Sequence, residues 1–311
     1  MSATTSTPAV EVVCALRDKV GESPLWSASE QALYWVDIEG RAVRCHDWAT
    51  RGTRSWDLPE RVACIALRDG GGLVAGMDTG IFALDLPPQG PGSARLLQPV
   101  RHAREGMRFN DGRLDRQGRF WATTMVRDMA LAAADGVLLR YDAQGLSAPL
   151  VDGLVTGNGL AFSPDGRTLY LSDSHPDVQR IWRFDLGDDG VPRNRTDFAD
   201  MRPLPGRPDG AAVDADGCYW ICGNDGGMVH RFTPDGRLDR SLALPVSKPS
   251  MCSFGGPDLD WLFVTSIPPA RPATGYDASL DGAVLALRPG VRGIAETVFR
   301  SQAPTQHKET A

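Results

Sequence analysis

The sequence predicts an all-β fold, a six-bladed β-propeller with antiparallel four-stranded blades around a central channel. Three observations support this prediction. Gly (34) and Pro (23) together fill 57 of the 311 positions, which disfavours long helices. Short runs of alternating apolar and polar residues follow turns rich in Asp and Gly, as in antiparallel hairpins. One turn-and-strand unit recurs six times with the period of a propeller blade.

Each repeat contains a turn followed by a strand that carries an apolar anchor residue. The anchors are Trp35, Val74, Trp121, Tyr170, Trp220 and Phe263. Successive anchors lie 39, 47, 49, 50 and 43 residues apart. We expect each anchor in the second strand of its blade, because a turn with Gly at positive φ joins it to a first strand upstream. Further strands, such as 136–143, 180–186 and 228–236, complete the blades.

The repeats indicate a single domain over residues 1–311, because a closed propeller has no internal linker. Six blades of about 52 residues account for the whole chain, with a core over about 12–300. The polar ends, residues 1–9 and 302–311, are expected to be flexible. Residues 127–135 are expected to form a helical turn in a loop over one face of the disc.

Composition and charge exclude several other classes of protein. The net charge is -6 and only three of the 33 basic residues are lysines, without a basic run, so no nucleic-acid partner is expected. No apolar run is long enough to cross a membrane, and the first residues lack a signal-peptide pattern. We therefore expect a cytoplasmic protein whose six cysteines are buried thiols.

Polar residues recur where the first strand of each blade lines the channel. Counting 11 to 13 residues upstream of each anchor gives Glu22, Val62, Asn110, Asn158, Asp209 and Met251. Four of these six side chains carry an oxygen. Because Asn or Asp before Gly also caps turns, one such dipeptide alone does not indicate a site. Recurrence in one register favours a shared site instead.

Two carboxylates that converge near a channel axis favour a bound cation, since isolated buried charges are unstable. Glu22 and Asp209 supply anionic oxygens and Asn158 supplies an amide oxygen. This donor set suits Ca²⁺, Mg²⁺ or Mn²⁺, with Zn²⁺ or Fe²⁺ also possible. Arg108 lies two residues before Asn110, so both side chains point to one side of a strand. Its guanidinium can donate several hydrogen bonds to an oxygen-rich substrate.

The motifs GESPLW, RFNDGRLD, NGLAFSPDGRTLYLSDS and RPDGAAVDADGCYW together resemble the gluconolactonase and regucalcin (senescence marker protein) family of sugar lactone hydrolases. The resemblance extends from about Val12 to Leu287. It implies one divalent metal ion held by Glu22, Asn158 and Asp209. It also implies that Arg108 and Asn110 bind substrate. Some relatives carry a Glu on the lid side of the pocket, where this chain has Asp128, and a substrate contact is expected there.

The function that these residues predict is hydrolysis of a sugar lactone to its aldonic acid, a step in carbohydrate metabolism. The metal polarises the carbonyl and Asp209 is the general base toward water. Coordination weakens a carboxylate as a base, so either its second oxygen takes the proton or it orients a metal-bound hydroxide. Two alternatives remain: a metal-dependent phosphotriesterase or arylesterase, and a non-enzymatic propeller that binds a divalent metal.

Overall fold

The computed structural model describes residues 4–300, which form 26 β-strands and two short 3₁₀ helices. Two strands precede the first blade, β1 (Thr4–Ser6) and β2 (Val10–Cys14). Blade 1 contains β3 (Gly21–Ser27), β4 (Ala32–Asp37), β5 (Ala42–Asp47) and β6 (Thr53–Asp57). Blade 2 contains β7 (Val62–Leu67), β8 (Leu73–Met77), β9 (Gly80–Asp85) and β10 (Ser93–Pro99). Blade 3 contains β11 (Met107–Leu114), β12 (Phe120–Val126), β13 (Gly136–Asp142), β14 (Gly145–Leu146) and β15 (Val151–Leu154).

Blades 4 to 6 follow in the same order. Blade 4 contains β16 (Gly157–Phe162), β17 (Thr168–Asp173), β18 (Arg180–Leu186) and β19 (Pro192–Asp200). Blade 5 contains β20 (Arg207–Val213), β21 (Tyr219–Asn224), β22 (Met228–Phe232) and β23 (Leu238–Ala243). Blade 6 contains β24 (Pro249–Gly255), β25 (Trp261–Ser266) and β26 (Val284–Leu287). The 3₁₀ helices are Met129–Leu131 and Ala278–Leu280.

The predicted six-bladed propeller is confirmed. Each blade is an antiparallel sheet in which consecutive strands pair, and all six anchors lie in second strands as expected. The first strand of each blade contacts the first strands of both neighbouring blades, so the six form a closed ring around the channel. No helix within residues 4–300 is long and apolar enough to span a membrane.

The N-terminal segment closes the ring. Strand β2 supplies the outer strand of blade 6 and pairs with β26, with Val10 opposite Leu287. Strand β1 adds a fifth strand to blade 5 through parallel pairing with β23. Residues 4–6, within the segment expected to be flexible, are therefore paired, because the edge of blade 5 offers unpaired backbone groups. The expected flexibility of 302–311 falls outside the described residues.

Buried polar clusters fix three of the anchors within the apolar layers between blades. Trp220 donates its indole N–H to Asp214 Oδ2 at 2.8 Å, and Arg231 Nε donates to the same oxygen at 2.8 Å. Equivalent tryptophan–aspartate hydrogen bonds join Trp35 to Asp18 and Trp121 to Asp115. All six cysteines are free thiols, and five of them are buried.

The C-terminal segment covers the far end of the channel. Arg113, at the end of β11, forms an ion pair of 2.7 Å with Glu296. Gly293 bridges to Asp214 in blade 5, and Phe299 is buried against blade 2 and blade 3 residues. The channel is therefore closed at that end, and access is left at the end where the first strands begin.

Candidate active site

A cavity of about 210 Å³ lies at the end of the channel where the first strands begin. Five of the six predicted site residues line it: Glu22, Arg108, Asn110, Asn158 and Asp209. They come from blades 1, 3, 4 and 5, so the ring closure brings them together. Asp128 is not among the lining residues. A larger cleft of about 390 Å³ lies on the outer side of blades 1 and 2 and contains none of the predicted residues.

A β-bulge interrupts every first strand where it reaches the cavity. Glu22 and Asn158 lie just before their bulges, opposite Val36 and Ser172. Asn110 and Asp209 lie inside their bulges, one position later. The single register expected for these four residues is therefore wrong by one position. The bulge suspends the alternation of side chains, so residues at two successive positions can face one cavity.

Three oxygen donors face the cavity without a cationic partner in the described chain. Asp209 accepts a hydrogen bond from Asn224 Nδ2 on Oδ2 at 2.6 Å, and no residue of 4–300 hydrogen-bonds to its Oδ1. Glu22 has one long contact, 3.4 Å from the backbone N–H of Ser23 to Oε2. Neither carboxylate has an ion-pair partner within 4.0 Å among the described residues. Both therefore keep an oxygen free for a ligand.

The amide of Asn158 is oriented by its neighbours. Its Nδ2 donates to Ser174 Oγ at 2.8 Å, and its Oδ1 accepts from Asn110 Nδ2 at 3.1 Å. Asn110 Nδ2 also donates to the carbonyl of Gly157 at 2.9 Å. These bonds point the oxygen of Asn158 into the cavity. Because a carbonyl oxygen has two lone pairs, one remains available for a ligand.

Burial makes these carboxylates poor anions on their own. Desolvation raises the pKa of Asp209 to about 7, against the lowering effect of Arg207 and Asn224. Desolvation, and then repulsion by Asp209 and Asp111, raises the pKa of Glu22 well above its ordinary range. A bound divalent cation reverses both effects, since an adjacent positive charge favours the ionised form.

Asp111 lies directly below the cavity and fixes the neighbouring blade. Its Oδ2 accepts from the backbone N–H of Leu160 at 2.7 Å, inside the bulge that follows Asn158. Asn110 and Asp111 thus hold Asn158 from both sides. The other oxygen, Oδ1, is buried without a hydrogen-bond partner among the described residues, and burial raises the pKa of Asp111 to about 6.

Two cations on one wall of the cavity, Arg207 and Lys248, were not predicted from sequence. Arg207 Nε and Lys248 Nζ both bond to Asp225, at 2.9 and 2.7 Å. Asn224, which holds Asp209, is next to Asp225 in the chain. A signal for Arg207 was available: it lies two residues before Asp209, as Arg108 lies two residues before Asn110.

Arg108 reaches the cavity as the sequence predicts. Its Nη1 donates to Asn110 Oδ1 and to the carbonyl of Phe109, both at 2.7 Å. Its Nε and Nη2 have no acceptor among residues 4–300. Three N–H groups of Arg108 are therefore free to bind a substrate.

Asp128 lies outside the cavity and caps the helix Met129–Leu131. Its Oδ1 accepts from the backbone N–H of Ala130 at 3.1 Å, and the side chain is exposed. Met129 lines the cavity instead, and its carbonyl lies 3.3 Å from Nε2 of buried His175. The helical turn expected within 127–135 is present as this short helix. A substrate contact by Asp128 stays a prediction, and it requires movement of this loop.

The donor chemistry fits a divalent cation. The site offers two carboxylates and one amide oxygen, a hard set that suits ions preferring oxygen. The described chain contains no cluster of three or more His, Cys, Asp or Glu side chains placed to hold a metal, so the amide of Asn158 is essential to this set.

A family model described as the SMP-30/Gluconolactonase/LRE-like region matches residues 20–268, a span that includes every residue of this site. The chain belongs to this family. A 6-deoxy-6-sulfogluconolactonase from Pseudomonas putida is 40% identical over 292 residues, covering 92% of this chain and 97% of the relative. Regucalcin from Xenopus laevis is 32% identical, covering 93% and 98%.

Solved structures of other family members share the fold. A calcium-binding regucalcin from Agrobacterium tumefaciens superposes with a TM-score of 0.88 at 26% identity, covering 96% of this chain and all of the other. A gluconolactonase from Xanthomonas campestris gives a TM-score of 0.68 at 26% identity, covering 90% and 89%. The family resemblance predicted from the motifs is therefore confirmed.

Proposed function

We propose that the cavity is the active site of a divalent-cation-dependent hydrolase that opens a sugar lactone to the corresponding aldonic acid. The observation that carries the proposal is the pair of carboxylates, Glu22 and Asp209, which face one cavity with free oxygens and no cationic partner in the described chain. The names of two similar proteins, the lactonases of Pseudomonas putida and Xanthomonas campestris, support the substrate class.

Glu22, Asn158 and Asp209 would hold the ion, whether Ca²⁺, Zn²⁺, Mn²⁺, Mg²⁺ or Fe²⁺. When bound, such an ion polarises the lactone carbonyl and stabilises the negative charge that develops on its oxygen. The similarity to the calcium-binding regucalcin of Agrobacterium tumefaciens supports a cation at this site.

Asp209 is the proposed general base. Its Oδ2 is held by Asn224 at 2.6 Å, which leaves Oδ1 to accept a proton from the attacking water. The water oxygen forms a bond to the lactone carbon, the ring C–O bond then breaks, and the proton passes to the departing ring oxygen. A carboxyl that titrates near neutral pH is matched to this task, because it is both ionised and basic at working pH.

Arg108 and Asn110 orient the substrate. The three free N–H groups of Arg108 can bind ring hydroxyls while its Nη1 stays fixed on Asn110. Met125, Met129, Ile38 and Ile267 supply apolar lining, which lowers the local dielectric constant and strengthens these hydrogen bonds.

The test is the hydrolysis of five- and six-carbon aldonolactones, followed by titration of the released acid. We expect Glu22→Gln and Asp209→Asn each to lower kcat/KM by about a hundredfold or more. Asp69→Asn, at an exposed site remote from the cavity, is the control and keeps the parent rate. Near-normal rates in both cavity variants would refute the proposed centre.

Cation binding is measured separately by calorimetry on protein treated with chelator. Tight binding with no turnover of any lactone would favour the alternative, a propeller that binds a cation without catalysis. Turnover of aryl or phosphate esters in place of lactones would favour the arylesterase or phosphotriesterase alternative.

A further inference from the structure

The cavity contains more positive side chains than neutral-sugar chemistry requires. Arg108, Arg207 and Lys248 line it, against the two carboxylates Glu22 and Asp209. Both carboxylates are the proposed ligands of a divalent cation, so neither can neutralise a lysine or arginine as well. A local excess of positive charge in a protein of net charge -6 points to a negatively charged ligand.

The excess is concentrated on the wall formed by blades 5 and 6. Arg207 and Lys248 share a single counterion, Asp225, which is outside the cavity lining and about half exposed. One carboxylate for two cations leaves one positive charge uncompensated on that wall. Arg207 is further fixed by donating from Nη1 to the carbonyl of Ser174 at 2.9 Å.

Lys248 keeps donors for a ligand. Its ammonium group makes one hydrogen bond within residues 4–300, to Asp225 Oδ1 at 2.7 Å, and has two further N–H groups. The side chain is 20% exposed, so the group is partly desolvated at the cavity wall. A partly desolvated ammonium with free donors binds an anion more strongly than an exposed one.

We propose that Lys248, supported by Arg207, forms a subsite for an anionic substituent, so that the substrate is an aldonolactone carrying a carboxylate, phosphate or sulfonate. The subsite lies on blades 5 and 6, whereas Arg108 lies across the ring on blade 3. A substrate bound between them places its ring over Asp209 and its charged end on Lys248. This inference rests on the proposed lactonase function and specifies its substrate.

The experiment compares δ-lactones of gluconic acid that differ only at carbon 6, which carries hydroxyl, carboxylate, phosphate or sulfonate. We expect kcat/KM for at least one charged lactone to exceed that for the hydroxyl compound by about tenfold or more. The order among the three anions identifies which group the subsite accepts. Added NaCl is expected to reduce the preference, because a charge pair that is partly open to solvent is screened.

Variants separate the subsite from a general effect on folding. Lys248→Met is expected to lower the ratio of charged to neutral kcat/KM by about tenfold, and Lys248→Arg is expected to retain it. Lys19→Met is the matched control, since Lys19 is an exposed lysine next to cavity residue Val20 and its side chain does not line the cavity. It is expected to keep the parent ratio.

The outcomes distinguish this inference from the function on which it rests. Equal turnover of neutral and charged lactones, or an unchanged ratio in Lys248→Met, would overturn the anionic subsite and leave the lactonase proposal standing. Failure to hydrolyse any of these lactones, or neutral five-carbon lactones, would overturn the proposed function and the subsite with it.

Discussion

Replacing Asp111 with Asn tests the electrostatics beneath the cavity. The carboxyl group is 5% exposed, accepts from Leu160 N at 2.7 Å and leaves Oδ1 without a hydrogen-bond partner among residues 4–300. Burial raises its pKa from 3.8 to about 6. Asn keeps the acceptor for Leu160 and cannot ionise.

The sign and size of the effect follow from this shift. Because the pKa of Asp111 is higher in the folded state, the unfolded chain ionises first, and folding loses stability as pH rises from about 4 to about 6. A shift of about two units corresponds to about 3 kcal/mol in full. Roughly half of this falls between pH 5 and pH 8, so Asp111→Asn should gain about 1.5 kcal/mol over the parent protein in that range.

The assay is urea unfolding at several pH values from 5 to 8, in the presence of chelator. The free energy of unfolding of Asp111→Asn is compared with that of the parent at each pH. Asp69→Asn, which removes one exposed charge, is the control and should follow the parent curve. A difference between Asp111→Asn and the parent that stays constant with pH would refute the reasoning.

Three further substitutions test separate parts of the structure. Asn224→Leu removes a hydrogen bond that lowers the pKa of Asp209, so the acid limb of the kcat/KM profile should move to higher pH; an unmoved limb contradicts this. Asp214→Ala strands a buried arginine and a tryptophan N–H and should lower the free energy of unfolding by about 3–5 kcal/mol; urea unfolding with a loss under about 1 kcal/mol contradicts this. Gly159→Ala, at φ 63° and with its new Cβ 2.5 Å from Ser172 Oγ, should weaken cation binding by calorimetry; unchanged affinity contradicts this.

The propeller was predictable because its signals are local. A Gly-containing turn and a strand with Trp35, Trp121 or Trp220 at its centre recur at a nearly constant distance, and short-range hairpins then fix each blade. The closure by Val10–Cys14 was not predictable, since its partner Val284–Leu287 lies some 270 residues away and an isolated edge strand has no distinctive pattern.

The site was predictable in its residues and not in its register. Glu22 and Asp209 were identified correctly as cavity residues, but a bulge displaces Asp209 by one position relative to Glu22. Lys248 and Asn224 approach the cavity from a loop and from the end of a second strand, where no counting from the anchors leads. Asp128 was expected near the substrate, and its carboxylate instead caps the helix that begins at the next residue.

The most direct test of the central claim is a crystal structure of the protein soaked with Mn²⁺, measured at a wavelength where manganese scatters anomalously. We predict one strong anomalous peak in the cavity, about 2.0–2.6 Å from oxygens of Glu22, Asn158 and Asp209. That peak should disappear in Asp209→Asn. A soaked crystal of protein active on lactones, with no peak between these three residues, would contradict the proposed cation site.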